Sequence, residues 1–548
     1  MSRSRPTSSR ATAAALVAGL GLSLSAGSCF FGAEGREPPV DRLYFPTGVL
    51  ASPGGSTLYV ANSDFDLRYS GGTLMALNLP EMRARVRGIV DGLGAGQSTA
   101  EICGAAGPNT DEWLNPGPCG PIGLEPFIER VVFIGAFASG LLLTHEPNGD
   151  RARLFAPVRG DPSITYFDVT DDRDVTPNAG NLDFTLECGQ AETYTSGTEG
   201  SSALFCSGDY RLGQDPDRNL RGLQLPADPV GLAANPSGEA IVIAHQTQGT
   251  ASLVVNDWAT RPELAYFVPN LAAGPTEVAA VPEPAFVALA REQALAEGRP
   301  FIYRSGYAIT FRGTPELDLL RYIPDSGSVP PRPFIQRELA VGVFTTASGF
   351  DSRGVAIIDT ERRACEESCG GVADALACLT ACAENIPLKI YMANRSPASL
   401  LVGDMRMIVN RAVDDAGVEQ ITSATEDAFF FDSVPLDFGA SRVEVGQIVD
   451  KSGELVERIF AVAFDTRRVF VFDPFTHQME AVIRTGRGPH DIGFDVGVDD
   501  NGDPYAYLYV GHFTDSYLGV VDLDQRRPAT FGSMVATIGD PEPPEDGT

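Results

Sequence analysis

Hydrophobic and polar positions are ordered most clearly between Gly488 and Asp524, GPHDIGFDVGVDDNGDPYAYLYVGHFTDSYLGVVDLD. Three apolar runs are separated by two polar breaks. His490–Phe494 is short and apolar. Asp499-Asp500-Asn501-Gly502 carries the Asn-Gly hairpin signal. Tyr505–Gly511 is rich in Tyr and Val, which suit a pleated surface. A loop, His512–Tyr517, leads to Leu518–Leu523, which ends in an acid. The same order recurs in Phe45–Leu79, with a turn at Pro53-Gly54-Gly55, and in Asp228–Asp257, with a turn at Asn235–Gly238. Looser copies read from Arg130–Val169, Glu338–Thr360, Leu388–Asp404 and Arg442–Asp473. Ile302–Tyr322 has strand-like runs that do not match the template, and Met534–Gly539 reads as a last outer strand.

Short strands joined by turns, repeated in tandem, predict an all-β chain closed into a ring, a β-propeller. Closure leaves only short, protected sheet edges. The third-strand endings Asn78, Asp168, Asn256, Asp359, Asp404, Asp473 and Asp522 count seven blades. Six or eight stay open, because little room lies between Asp359 and Asp404. The propeller is expected over 41–539, with insertions at about 91–123, 186–209 and 364–385 and an acidic, Pro-rich tail at 540–548. Pro284–Glu297 has helical spacing and reads as a short helix on a loop.

The cysteines fall in local groups: Cys103 with Cys119, Cys188 with Cys206, and the run Cys365, Cys369, Cys378, Cys382. In an oxidising compartment local pairs read as disulfides. Within Ala364–Asn385, two Cys-x-x-x-Cys units flank a Gly-Gly break, which predicts a Cys-rich helical hairpin. Bridges Cys365–Cys382 and Cys369–Cys378 would fit, although four cysteines allow three pairings. The spacing permits zinc, but export favours disulfides. The sequence calls for no metal and no cofactor. The run Asp499–Asp503 lacks the ligand spacing of an EF-hand loop, and Gly-x-Ser-x-Gly, phosphate-loop and His-Glu-x-x-His patterns are missing.

Residues 1–28 read as an export signal. Arg3, Arg5 and Arg10 precede the apolar Ala11–Leu24, and Ala26-Gly27-Ser28 stands before Cys29. Small residues directly before a cysteine resemble the bacterial lipoprotein signal. That resemblance implies lipidation of Cys29, a tether over 29–40, and an outer-membrane protein facing the periplasm or cell surface. Removing Cys29 leaves an even eight of nine cysteines, which agrees with export. The formal charge of −31 argues against nucleic acid and anionic lipid as partners. A monomer is expected, with an envelope protein or a small molecule as its ligand.

Pro-x-Gly, a Pro/Gly turn and then Leu58-Tyr59-Val60-Ala61-Asn62 resemble the YVTN-type propeller repeat. Val242–His245, Tyr391–Asn394 and Tyr509–His512 are variants at the same place. The resemblance implies a surface or periplasmic propeller, in a group that includes binding proteins and relatives of lactone-hydrolysing propellers. Loops after second strands and loops before first strands share one face. His245, His490 and His512 are therefore candidate catalytic residues at one channel mouth. Asn62, Asn394, Asp465 and Arg487 are candidate ligand contacts there, as are Arg159 and Arg395. His145 and His477 lie in turns away from this face. The first reading is a binding or scaffold module in the envelope. The alternative is a lactone or ester hydrolase built on the three histidines.

Overall fold

A computed structural model describes residues 35–174, 184–195, 202–324, 327, 332–343, 351–413, 417–499 and 501–543. The export signal, Cys29 and the end of the tail lie outside the described residues. Seven antiparallel sheets follow one another along the chain, at 46–134, 142–212, 229–268, 275–342, 352–435, 440–484 and 489–538. Each has its strands in simple up-and-down order, so the chain is a seven-bladed β-propeller. Every sheet is sandwiched between two others, so its middle strands are covered on both faces. That is why Thr57–Asn62 (TLYVAN) and Ala240–His245 (AIVIAH) are buried at every position and read as continuous apolar runs.

The count of seven stands, but the sequence assigned one blade wrongly. Asp359 follows an inner strand, Ser352–Ile358, rather than a third strand. The blade that was overlooked is the fourth. Its inner strand Pro275–Ala280 and second strand Gly306–Phe311 are separated by residues 281–305, which include the helix Phe286–Ala296. The insertion broke the template spacing. Ile128–Ile134 is likewise the outer strand of the first blade, not the inner strand of the second. The insertion before it starts at Leu79, earlier than expected, because the Asn78 side chain accepts from Glu81 N at 3.1 Å and starts the helix Leu79–Gly94 directly after the strand. In the second blade the outer edge is split. Leu186–Glu187 and Arg211–Leu212 both pair with Ser163–Thr170.

All four disulfides form: Cys103–Cys119, Cys188–Cys206, Cys365–Cys382 and Cys369–Cys378. The last two staple the helices Thr360–Ser368 and Ala375–Asn385. These helices, Phe286–Ala296 and the extended hairpin of Ala398–Val413 with Glu419–Pro435 share a small separate core around Phe286, Leu379 and Met407. Every large insertion leaves from a connection between first and second or third and fourth strands. One face of the ring is therefore built up by these insertions. No described helix is long and apolar enough to cross a membrane.

The ring closes without exchanging a strand, since the first and seventh blades each use only their own contiguous chain. A strap over residues 79–127 holds the junction instead. Ile122 bridges Ile538 in parallel, with Ile122 N to Thr537 O at 2.9 Å and Gly539 N to Ile122 O at 2.8 Å. Tyr517 Oη donates to Leu114 O at 2.9 Å, and the Arg467 guanidinium lies 4.1 Å from the Trp113 ring centre. Val86 and Ile89 of the strap helix join Tyr507 and Val535 of the seventh blade in one core. Within this junction Arg83 makes two bonds to Asp495, at 2.9 and 2.8 Å, and one to Gly55 O at 2.7 Å. Both side chains are buried.

Removing one partner of a buried ion pair leaves the other charge uncompensated. Arg83→Ala should therefore cost about 3–5 kcal/mol in urea unfolding. Arg83→Met combined with Asp495→Leu should recover most of that loss. A single mutant as stable as the wild type would contradict the pair's role in closure.

Candidate ligand site at the channel mouth

The channel is lined by the inner strands, and six of the seven share one irregularity, the strand Leu142–His145 of the second blade being regular. Register shifts fall just inside the strand start, at Pro46/Gly48, Pro229/Leu232, Pro275/Val278, Ser352/Gly354, Ala440/Arg442 and Pro489/Asp491. These are β-bulges, which re-aim side chains. The residue before the strand has positive φ in five blades, Phe45, Asp228, Gly274, Gly439 and Gly488, and in the second blade so does Phe137, before Ala138, which bridges Val158. Phe and Asp are uncommon there, so surrounding contacts must hold them.

Two places further on, hydroxyls tie three of the blades to the next. Thr47 donates to Ala138 O at 2.7 Å, Ser139 to Pro229 O at 3.1 Å and Thr276 to Ser352 O at 3.1 Å. The fifth and seventh blades put Arg353 and His490 at this place. The following position is Gly in four blades. A Cβ on Gly48 would lie 2.8 Å from Leu141, and one on Gly354 would lie 2.7 Å from Val443 N. Close approach of neighbouring strands thus explains the Gly of Pro-x-Gly.

The fourth, sixth and seventh blades replace that Gly by Glu277, Arg442 and Asp491. Arg442 Nε lies 2.6 Å from Glu444 and 2.9 Å from Asp491, and Asp491 also accepts from Val49 N at 2.8 Å. Three carboxylates therefore share one guanidinium. Burial pushes Glu277 up to about 7, against the pull of Arg442 and with the push of Glu444. Burial likewise raises Glu444 and Asp491. For Arg442 burial opposes the charge, but Asp491, Glu444 and Glu277 outweigh it and raise its pKa.

The structure separates the three predicted histidines. His245 and His512 are fully buried in the third and seventh blades, on opposite sides of the ring. His245 Nε2 is 2.8 Å from Ser252 Oγ, and its Nδ1 is 3.3 Å from Ala227 O. His512 Nε2 accepts from Gly486 N at 3.0 Å, and its ring stacks on Tyr517 at 4.1 Å. Asn62 and Asn394 hold the same place in other blades, accepting from Tyr44 N at 3.2 Å and Asp351 N at 3.0 Å. All four pin the chain leading into an inner strand, which is a structural task.

His490 alone stands at the mouth. It stacks on Phe513 at 5.6 Å, and its buried Nδ1 has no partner in the protein. Burial, then the charge of Arg442, lowers its pKa to about 4, so the imidazole is neutral at pH 7. His145 and His477 lie elsewhere, near Asp171 and Asp432.

The other predicted contacts are ion-paired: Asp465 with Arg395, Arg487 with Asp515, and Arg159 with Asp228. The mouth divides into two arcs. Phe45, Phe65, Phe137, Phe464 and Phe513 form one, with ring centres 5.1–6.2 Å apart in contacting pairs. Phe65 is 51% exposed at its centre. Arg312, Arg353 and Arg395 form the other. Asp351 lies 3.3 Å from Arg312 and 2.7 Å from Arg353.

Sequence reasoning missed Arg353, Glu277, Arg442, Asp491 and the aromatic arc. Aligning every Pro-x-Gly frame would have exposed the four charged residues, since they stand where other blades carry a small residue or Gly. The turn Asp499–Asp503 is an ordinary hairpin turn. Its Asp499 carboxylate accepts from Asn501 N and Asp503 N at 2.9 and 3.0 Å and pairs with Arg87 at 3.0 Å.

No protein-family model and no curated protein matches this chain. Solved structures do. The periplasmic gluconolactonase of Pseudomonas aeruginosa matches at 11% identity and TM-score 0.39, over 81% of this chain and 87% of the other. Kuenenia stuttgartiensis hydrazine synthase matches at 10% identity and TM-score 0.41, over 90% and 99%. Likeness this distant carries nothing about what this chain does, and the fold rests on its own strand order.

Two pH dependences follow. His245 and His512 have folded pKa values of about 4 and about 3, below their ordinary 6.5. The unfolded chain takes up protons first, so their stability contribution is complete above pH 6.5 and fades as pH falls toward 4 and 3. Asn stands at this place in two blades, so His245→Asn with His512→Asn should still fold. The double mutant should lose roughly 1–3 kcal/mol at pH 7 and clearly less at pH 4.5, read from urea midpoints. Glu277 behaves oppositely. Its raised pKa favours the folded state below pH 4.5, and that contribution is lost as pH rises through 7. Glu277→Gln should therefore gain stability over the wild type between pH 5 and pH 8, by roughly 1–3 kcal/mol. A pH-independent difference would show that Glu277 stays ionised throughout.

Proposed function

We propose that this chain is an exported, lipid-anchored propeller that acts as a binding module in the cell envelope and holds its ligand at the mouth of the channel. The observation that carries this reading is the aromatic arc, because exposed Phe65 is packed edge-on against Phe137 and Phe513 rather than covered. Converging aromatic surface beside a few aimed polar groups is the usual composition of a ligand site. The hydrolase alternative needs a nucleophile or activated water and a base that is oriented by a third group. His245 and His512 are occupied as latches. The charges that act on His490 come from Arg442 and Arg159, and no carboxylate is among them. Binding without chemistry fits this arrangement better.

The anchor rests on Ala26-Gly27-Ser28-Cys29. In a bacterial host, Cys29→Ser should move the full-length protein from the membrane fraction to the soluble extract, and unchanged fractionation would remove the anchor from the proposal. The ligand site is tested by native mass spectrometry of protein gently extracted from its own envelope. A bound small-molecule mass should be present in the wild type and lost in Phe65→Ala. A bare wild-type mass, or an adduct that survives the substitution, would count against the mouth.

A further inference from the structure

Resting on that reading, we propose that the mouth is selective for a small organic acid, a carboxylate carried on an apolar or aromatic body, with the body on the phenylalanine arc and the carboxylate on the Arg312–Arg353–Arg395 arc.

Three independent features converge on this class. The first is charge. The chain carries −31 overall, yet three guanidinium groups gather here around two carboxylates, Asp351 and Asp465. Within this arc the cations outnumber the carboxylates by one, whereas the Arg442 cluster of the channel holds an excess of carboxylate. Arg353 enters the channel from a bulge and pairs with Asp351 through Nη2 at 2.9 Å. Burial opposes its charge, and Arg312 and Arg395 repel it. An arriving anion would relieve that repulsion. Arg is also the side chain best shaped to take a carboxylate through two parallel bonds.

The second feature is apolar surface that the ion pairs do not use. Phe65 and Phe438 are 51% and 62% exposed, and the Arg395 guanidinium lies 5.7 Å from the Phe438 ring centre. Arg395 also pairs with Asp465, the chain neighbour of Phe464, so the two arcs meet there. The third is His490, stacked on Phe513 of the aromatic arc, whose Nδ1 has no partner in the protein. A neutral imidazole can donate to a carboxylate or accept from a hydroxyl without adding charge. Apolar ring, cation and neutral polar group are the three contacts that a hydroxylated or plain aromatic acid requires.

The test is calorimetric titration of the full-length protein with benzoate, phenylacetate and cinnamate, each beside its neutral amide. At least one acid should saturate and bind at least tenfold more tightly than its amide. Arg353→Gln should remove that preference, and Phe65→Ala should weaken acid and amide together by threefold or more. Circular dichroism confirms that both variants fold, and Phe65 is exposed enough that its substitution should not unfold the blade. Equal binding of acid and amide, sensitive to Phe65→Ala, would overturn the acid preference while leaving a ligand site at the mouth. Failure of all six compounds to bind would overturn both this inference and the mouth as the binding site.

Discussion

A ring of sheets must hold its ends together, and here closure depends on an inserted strap and its contacts rather than on a shared strand. The first and seventh blades are each built from contiguous chain, so no backbone ladder crosses the seam. The Arg83–Asp495 pair does cross it, as do the strap's bridge to Ile538 and the joint core of Val86, Ile89, Tyr507 and Val535. A buried ion pair adds little net stability over apolar packing of the same volume, but it strongly penalises any arrangement that breaks it. At the seam this disfavours any slipped closure that keeps one of the two charges buried without the other. Cys103–Cys119 closes a loop within the strap and reduces the freedom of the unfolded chain there.

The closed ring in turn fixes the mouth. Neighbouring inner strands approach so closely that Gly48, Gly231 and Gly354 have no room for a Cβ. Where Glu277, Arg442 and Asp491 stand instead, their side chains must find charge partners across blades. The resulting cluster braces the channel and fills part of it. The bulges are the other consequence. They turn Thr47 and Thr276 toward the next blade as latches, and the same turn aims Arg353 and His490 at the mouth. One local irregularity, repeated around the ring, therefore serves both assembly and the candidate site. It also explains why non-glycine residues at Phe45 and Asp228 hold positive φ: each is fixed between a bulge and a neighbouring blade.

The architecture was legible because burial on both faces leaves a strong mark in the second strands. Thr57–Asn62, Ala240–His245 and Pro504–His512 could be read directly, and so could the cysteine hairpin, whose spacing places its pairs one helical turn apart. The fourth blade was hidden because a helical insertion separates its strands. The site was read poorly for a different reason. His245 and His512 share a frame position with Asn62 and Asn394, and a frame position that accepts either His or Asn marks a hydrogen bond common to the fold. The informative residues were those that break the frame, Arg353 and Glu277 among them. Sequence reasoning followed residue type, histidine above all, when the departure from the repeat carried the signal.

The apparent conflict between an acidic protein and an anion-selective mouth is settled by distance. At physiological salt the Debye length is about 8 Å, so exposed carboxylates further away than that contribute little. Arg312 and Arg353 share the Asp351 carboxylate, and Arg395, paired with Asp465, is near enough to repel Arg353, in surroundings drier than bulk water. Coulomb energy there scales inversely with a much smaller effective dielectric. The near field of the arginine arc therefore governs what is held at the mouth. The far field of the acidic surface, to the extent that it survives screening, slows the approach of anions without changing which of them fits. A low-salt solution should expose that difference as a slower on-rate with an unchanged preference among acids of equal charge.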